Sequence, residues 1–155
     1  MGKSQKLEFE DFLSTVPDEY KEFVVKVDEL LIKLGFRQFI DEKQCGLMAK
    51  YLHPNKKTIP FKFFYQKDKT LGMHLTVEFF CMFNGSLEKL PSSVLSQIDT
   101  IRACIKCPIG CTTKENKFVI NGAQKEFCFG GVTVEMDSDG MKIVDLLESK
   151  IKCIV

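Results

Sequence analysis

The chain alternates between two kinds of apolar rhythm. Phe9, Phe12, Leu13 and Val16 recur at helical spacing, so residues 8 to 16 are expected to form a short first helix. Thr15-Val-Pro17-Asp18-Glu19 then supplies a capping hydroxyl, a proline for the first turn and acids for the positive end of the dipole. The helix that follows carries Tyr20, Phe23, Val24, Val27, Leu30, Leu31 and Leu34 on one stripe, and Gly35 ends it. Its opposite face is charged, as for a helix packed on a core.

The rhythm then changes to period two. Phe36 to Glu42, Leu47 to Leu52, Ile59 to Gln66 and Met73 to Met82 are expected strands, separated by short polar turns such as His53-Pro54-Asn55-Lys56-Lys57. In the third, Phe61, Phe63 and Tyr65 oppose Lys62, Phe64 and Gln66. In the fourth, Met73, Leu75, Val77, Phe79 and Cys81 share a face, with Phe80 on the other. Such spacing predicts an antiparallel meander. After Asn84-Gly85, Pro91-Ser92-Ser93 opens a helix through Val94, Leu95, Ile98 and Ile101. Lys117 to Ile120 and Gln124 to Phe129 form a hairpin over Asn121-Gly122, and Val132 to Met136 adds a further strand. Asp137-Ser138-Asp139 caps a last helix with Met141, Val144, Leu147 and Ile151 inward. The pattern gives one α+β domain over residues 1 to 155, an antiparallel meander plus a C-terminal hairpin with helices packed on it. The order is roughly ααββββαββα.

Composition refines this picture. Fourteen Phe and no Trp predict a Phe-rich core, and 155 residues suffice to bury one. A net charge of +1 points to neither nucleic acid nor membrane as a bulk partner. Arg37 and Arg102 are the only arginines, which disfavours specific phosphate or base reading. The charged first residues lack an apolar signal segment, and no apolar run is long enough to span a bilayer, so a cytoplasmic location is expected. Thiols are reduced there, and seven cysteines read as metal ligands or buried apolar groups before disulfides.

Four of those seven fall between residues 104 and 128. Cys104 and Cys107 have the spacing of a zinc knuckle, Cys111 offers a third ligand, and the hairpin returns Cys128 as a fourth. The second Cys-x-x-Cys pair usual in such sites is missing, so Cys45, Cys81 or His74 stand as substitutes for the fourth place. A redox dithiol is disfavoured, because the pair follows a helix C-terminus, where the dipole opposes a thiolate. Free thiols, an iron–sulfur cluster and disulfides stay open.

Two other sets of residues qualify as sites. A ligand pocket between the Phe-rich sheet and the helices would be lined by Phe63, Tyr65, Met73 and Phe79. Lys56, Lys57, Lys62 and Lys67 make one hairpin basic and would serve nucleic acid, although an edge kept soluble by lysines explains them as well. His53 and His74 lack the neighbours of a nucleophile–base pair, and no phosphate loop or dinucleotide fingerprint is present. Function therefore reads as a binding or structural module with a small cysteine-ligated zinc site, and no reaction or partner is assigned.

From about Gly46 onward the chain resembles a group of small uncharacterised cysteine-containing proteins of low-GC Gram-positive bacteria. The matching pieces are Lys50-Tyr51-Leu52-His53-Pro54-Asn55-Lys56-Lys57 with its Phe-rich strand, Leu90-Pro91, the Cys104-x-x-Cys107 region, Phe118-Val119-Ile120-Asn121-Gly122 with Cys128, and Asp145-Leu146-Leu147-Glu148. The resemblance implies the same fold and cysteine cluster and carries no catalytic residue. That group often has a further cysteine where Phe129-Gly130-Gly131 stands here.

Overall fold

The computed structural model describes residues 6–66, 70–100, 117–120, 122–126 and 131–154. Two helices, α1 (Phe9–Leu13) and α2 (Asp18–Lys33), precede four strands, β1 (Arg37–Lys43), β2 (Gly46–Leu52), β3 (Phe61–Tyr65) and β4 (Leu71–Leu75). Then come α3 (Val77–Met82), α4 (Ser92–Thr100), β5 (Lys117–Ile120), β6 (Ala123–Glu126), β7 (Val132–Glu135) and α5 (Ile143–Ile154). The α+β class and the meander are as the sequence pattern predicts. The meander β1-β2-β3-β4 is antiparallel throughout, and β7 returns to pair with β4, giving a five-stranded sheet. β5 and β6 form a separate two-stranded hairpin.

One face of the sheet holds the core. Ala49, Tyr51, Phe61, Phe63, Met73 and Leu75 are fully buried there, with Val24, Val27 and Leu31 of α2 and Leu146 and Leu147 of α5. Aromatic rings bridge the layers: Phe12 stacks on Phe63 with centroids 6.0 Å apart, and Phe61 meets Phe63 edge-on at 5.2 Å. One polar device crosses the sheet–helix boundary. The buried Tyr51 hydroxyl donates to Asp28 Oδ1 of α2 at 2.7 Å, and Gln38 Nε2 donates to the same oxygen. Burial first, and Asp28 second, hold the Tyr51 phenol well above its ordinary pKa.

The structure corrects the expected strand from Met73 to Met82. β4 ends at Leu75, and residues 77 to 82 are helical. The alternation of Val77, Phe79 and Cys81 fits a strand, but a strand would send Phe80 to the outer face. The helix instead buries Phe79, Phe80 and Phe83 together, with Phe79 and Phe83 rings 4.4 Å apart, and leaves Cys81 exposed. Thr76 is extended, and its amide donates to the Pro60 carbonyl at 3.1 Å, so the chain leaves the sheet there. Phe118 and Ile120 of β5 are buried, and the Phe118 ring meets Phe80 at 6.2 Å. α3 thus docks the hairpin on the core.

The caps of the last two helices also differ from expectation. The sequence pattern gives both Asp137 and Asp139 to the final helix. Asp137 does serve that segment, accepting the Gly140 amide at 2.6 Å. Asp139 reaches across the fold to α4 instead. Its carboxylate accepts the Ser93 amide at 2.9 Å, the Ser92 amide at 3.2 Å and the Ser92 hydroxyl at 2.8 Å. These bonds from Ser93 and Ser92 hold the Asp139 carboxyl far below the usual carboxylate range. The sign follows: the depressed pKa makes the contribution full above about pH 4, and it is lost as pH falls. Asp139→Ala is expected to cost about 0.5–2 kcal/mol. Asp139→Asn is expected to retain part of the cap and flatten the acid limb of stability against pH, measured by urea unfolding between about pH 2 and 6.

Among the described residues no helix is long and apolar enough to cross a membrane.

Candidate functional site

The α1–α2 connection, the ends of β3 and β4, and the end of β7 converge on a cleft of about 520 Å³. Thr15, Pro17, Glu19 and Tyr20 come from the first, Tyr65, Gln66, Thr70 and Leu71 from the second, and Glu135 and Met136 from the third. Each element is placed by a sequence feature with its own physical reason. Pro17 fixes the entry to α2, so Glu19 and Tyr20 stand in that helix's first turn. The period-two pattern of β3 turns Tyr65 to the core side of the sheet, at the strand's end. The last residues of β7 follow its pairing of Glu135 with Gly72.

Tyr65 is the most firmly held wall. Its hydroxyl donates to Thr15 Oγ1 at 2.6 Å, and Thr15 Oγ1 donates onward to the Phe12 carbonyl at 2.7 Å. The Thr15 carbonyl lies 2.9 Å from the same phenol. Behind the ring lies Gly46, at φ +138°, where a Cβ would approach Tyr65 Cδ2 to 2.8 Å. Only glycine satisfies both the backbone and the ring there. Across the cleft, Glu19 and Glu135 are exposed carboxylates and Tyr20 is half-buried. Tyr20, Tyr65, Glu19, Gln66 and Glu135 thus line one concave space. Its volume lies in the range that takes small organic molecules.

Of the four residues expected to line a pocket, Tyr65 does so. Phe63, Met73 and Phe79 are fully buried core residues without exposure. The sequence pattern places the pocket between the Phe-rich sheet and the helices, where these large side chains close the space. The structure opens it at the strand ends. The sequence pattern does not mark Thr15, Glu19, Tyr20 or Glu135 as ligand residues. Helical spacing marks Tyr20 as core and the first-turn acids as dipole partners, and neither signal distinguishes a cleft wall.

The metal ligands expected at Cys104, Cys107, Cys111 and Cys128 lie outside the described residues. Among the described residues no group of three or more His, Cys, Asp or Glu side chains is placed to hold a metal. Cys45 and Cys81 are free and exposed. The Cys81 thiol is pushed up by burial and then by Glu78, the reverse of what a metal-binding thiolate needs. His53 Nδ1 accepts the Asn55 amide at 2.9 Å and so braces its turn.

Of the four lysines expected to form a basic patch, three are among the described residues. Lys56 pairs with Glu78 at 3.3 Å, Lys57 is exposed, Lys62 lies half-buried on the outer face of the sheet, and Lys67 lies outside the described residues. Comparison with known protein families, curated proteins and solved structures finds no match. The site's own chemistry is therefore the ground for a functional reading.

Proposed function

We infer that this protein is a small-molecule-binding domain whose cleft at Tyr20 and Tyr65 takes a compact ligand with a cationic head. The observation that carries this reading is that two tyrosines and two glutamates line one concave space. Aromatic faces attract ammonium groups, and the carboxylates set the sign of the preferred charge. Thr70 and Gln66 add polar groups for orientation. The reading places the protein in the cytosol and assigns it no catalytic step.

The test is a thermal-shift and calorimetric titration with benzyltrimethylammonium, beside phenylacetate as the anionic counterpart. The cation is expected to raise the melting temperature and the anion to leave it unchanged. Glu135→Gln is expected to weaken cation binding by up to about fivefold, the range for a solvent-exposed charge pair. Equal binding of cation and anion, or of neither, would contradict the reading.

A second reading keeps the zinc site at Cys104, Cys107, Cys111 and Cys128, and the hairpin register supports it. Lys117 pairs with Glu126, so the two connectors carrying these cysteines start from one point. Cys128 is two residues beyond Glu126 and Cys111 six before Lys117, within reach of roughly 7 Å and 21 Å of chain. Elemental analysis of protein purified without added metal is expected to give about one zinc per chain, with four thiols released on chelation. Metal-free protein with seven reactive thiols would exclude it.

A further inference from the structure

The face of the sheet away from the core sets two lysines side by side. The strand register sets Phe39 of β1, Lys50 of β2, Lys62 of β3, His74 of β4 and Thr133 of β7 side by side. Lys50 thus stands directly opposite Lys62, and Lys62 opposite His74. Like charges at directly opposed positions of a sheet destabilise it. Asp41 offsets Lys50 at 2.7 Å, but it is shared with Lys43 at 3.3 Å. Among the described residues no carboxylate pairs with Lys62. Its Nζ lies 5.8 Å from the centroid of the Phe64 ring, and Lys50 Nζ lies 5.7 Å from that of Phe39.

Phe39 and Phe64 belong to this outer face rather than to the core cluster, and both are half-buried. The His74 ring meets Phe64 edge-on at 5.7 Å and lies against Gly131, where a Cβ would overlap the imidazole. Burial and Lys50 lower the Lys62 pKa, while burial and Lys62 lower that of His74. On this face Asp41 stands beside Lys50 and Glu135 lies across Gly72 from Phe64, while Lys62 has an aromatic ring beside it.

We propose that this outer sheet face binds single-stranded nucleic acid, with Lys50 and Lys62 on the phosphates and Phe39 and Phe64 under the bases. The shape selects a strand over a mononucleotide. The two rings stand two strands apart and two residues out of register, about 12 Å between their backbone positions, a spacing that suits bases along an extended strand. Lysine and aromatic side chains interleaved on a sheet supply what such binding uses, sequence-tolerant stacking and backbone charge. None of Phe39, Lys50, Lys62 and Phe64 lines the cleft, so the proposal stands independently of the ligand inferred there.

The test is fluorescence anisotropy of the full chain with fluorescein-labelled single-stranded ten-nucleotide oligothymidylate at low salt. Binding is expected to weaken as salt rises, with a log–log slope of about −1.4 for two phosphate contacts. Lys62→Gln and Phe64→Leu are each expected to weaken binding about tenfold, the cost of one base stack or one desolvated contact. Lys57→Gln is expected to bind as the parent does. Unchanged melting temperatures in Lys62→Gln and Phe64→Leu separate lost contact from lost fold. No anisotropy change, variants that bind like the parent, or equal competition by duplex or by thymidine monophosphate would overturn the proposal.

Discussion

Phe63→Ala is expected to lower stability by about 3–5 kcal/mol and the melting temperature by on the order of 10 °C. The ring has no exposure and lies among Phe12 at 6.0 Å, Phe61 at 5.2 Å and Tyr51 at 6.3 Å. Its removal opens a void between the sheet and α1 that these rings cannot fill without leaving their own contacts. Tyr65→Phe, two residues on, is the informative partner. It removes one partly exposed hydrogen bond to Thr15 and is expected to cost about 1 kcal/mol or less. Urea unfolding of both variants separates the core from the cleft wall. Similar losses in the two would mean that Tyr65 is part of the core rather than a cleft wall.

The second large effect is expected at Asp28. Asp28→Ala leaves the buried Tyr51 hydroxyl without its acceptor, at a cost of about 2–3 kcal/mol. Tyr51→Phe leaves Asp28 bonded to Gln38, and the loss is expected to be smaller, about 1–2 kcal/mol. The double variant is expected to be more stable than the sum of the two losses implies, because no buried donor is then left unpaired. Additive losses in a double-mutant cycle would show that the bond does not couple α2 to the sheet.

The sheet was legible because its pattern is local. Phe61, Phe63 and Tyr65 alternate with Lys62 and Phe64, and period two decides both strand and face. The stretch from Val77 to Phe83 was not legible in that way. Val77, Phe79 and Cys81 satisfy a strand, while Phe79, Phe80 and Phe83 satisfy a helix. The choice rests on where the β5–β6 hairpin needs Phe80, a contact with Phe118 across nearly forty positions. Asp139 teaches the same lesson. An aspartate before a helix reads as that helix's cap, and only the tertiary fold brings its carboxylate to Ser92 and Ser93.

The cleft was legible in one residue, Tyr65, and for a reason that did not concern its shape. A chain pattern reports which residues turn inward. It does not report where the inward space is left unfilled, and here that place lies at the strand ends, where Thr15, Tyr20 and Glu135 meet. The line of Lys50, Lys62 and His74 is likewise a property of register, since their separations of twelve residues become adjacency only when the strands pair.

The most direct measurement is amide chemical-shift mapping of the full chain during titration with benzyltrimethylammonium. The account predicts saturable shifts that concentrate at Thr15, Glu19, Tyr20, Tyr65, Gln66 and Glu135, and that shrink in Glu135→Gln at equal ligand. Shifts spread evenly over the surface, or confined to residues remote from this cleft, would contradict it.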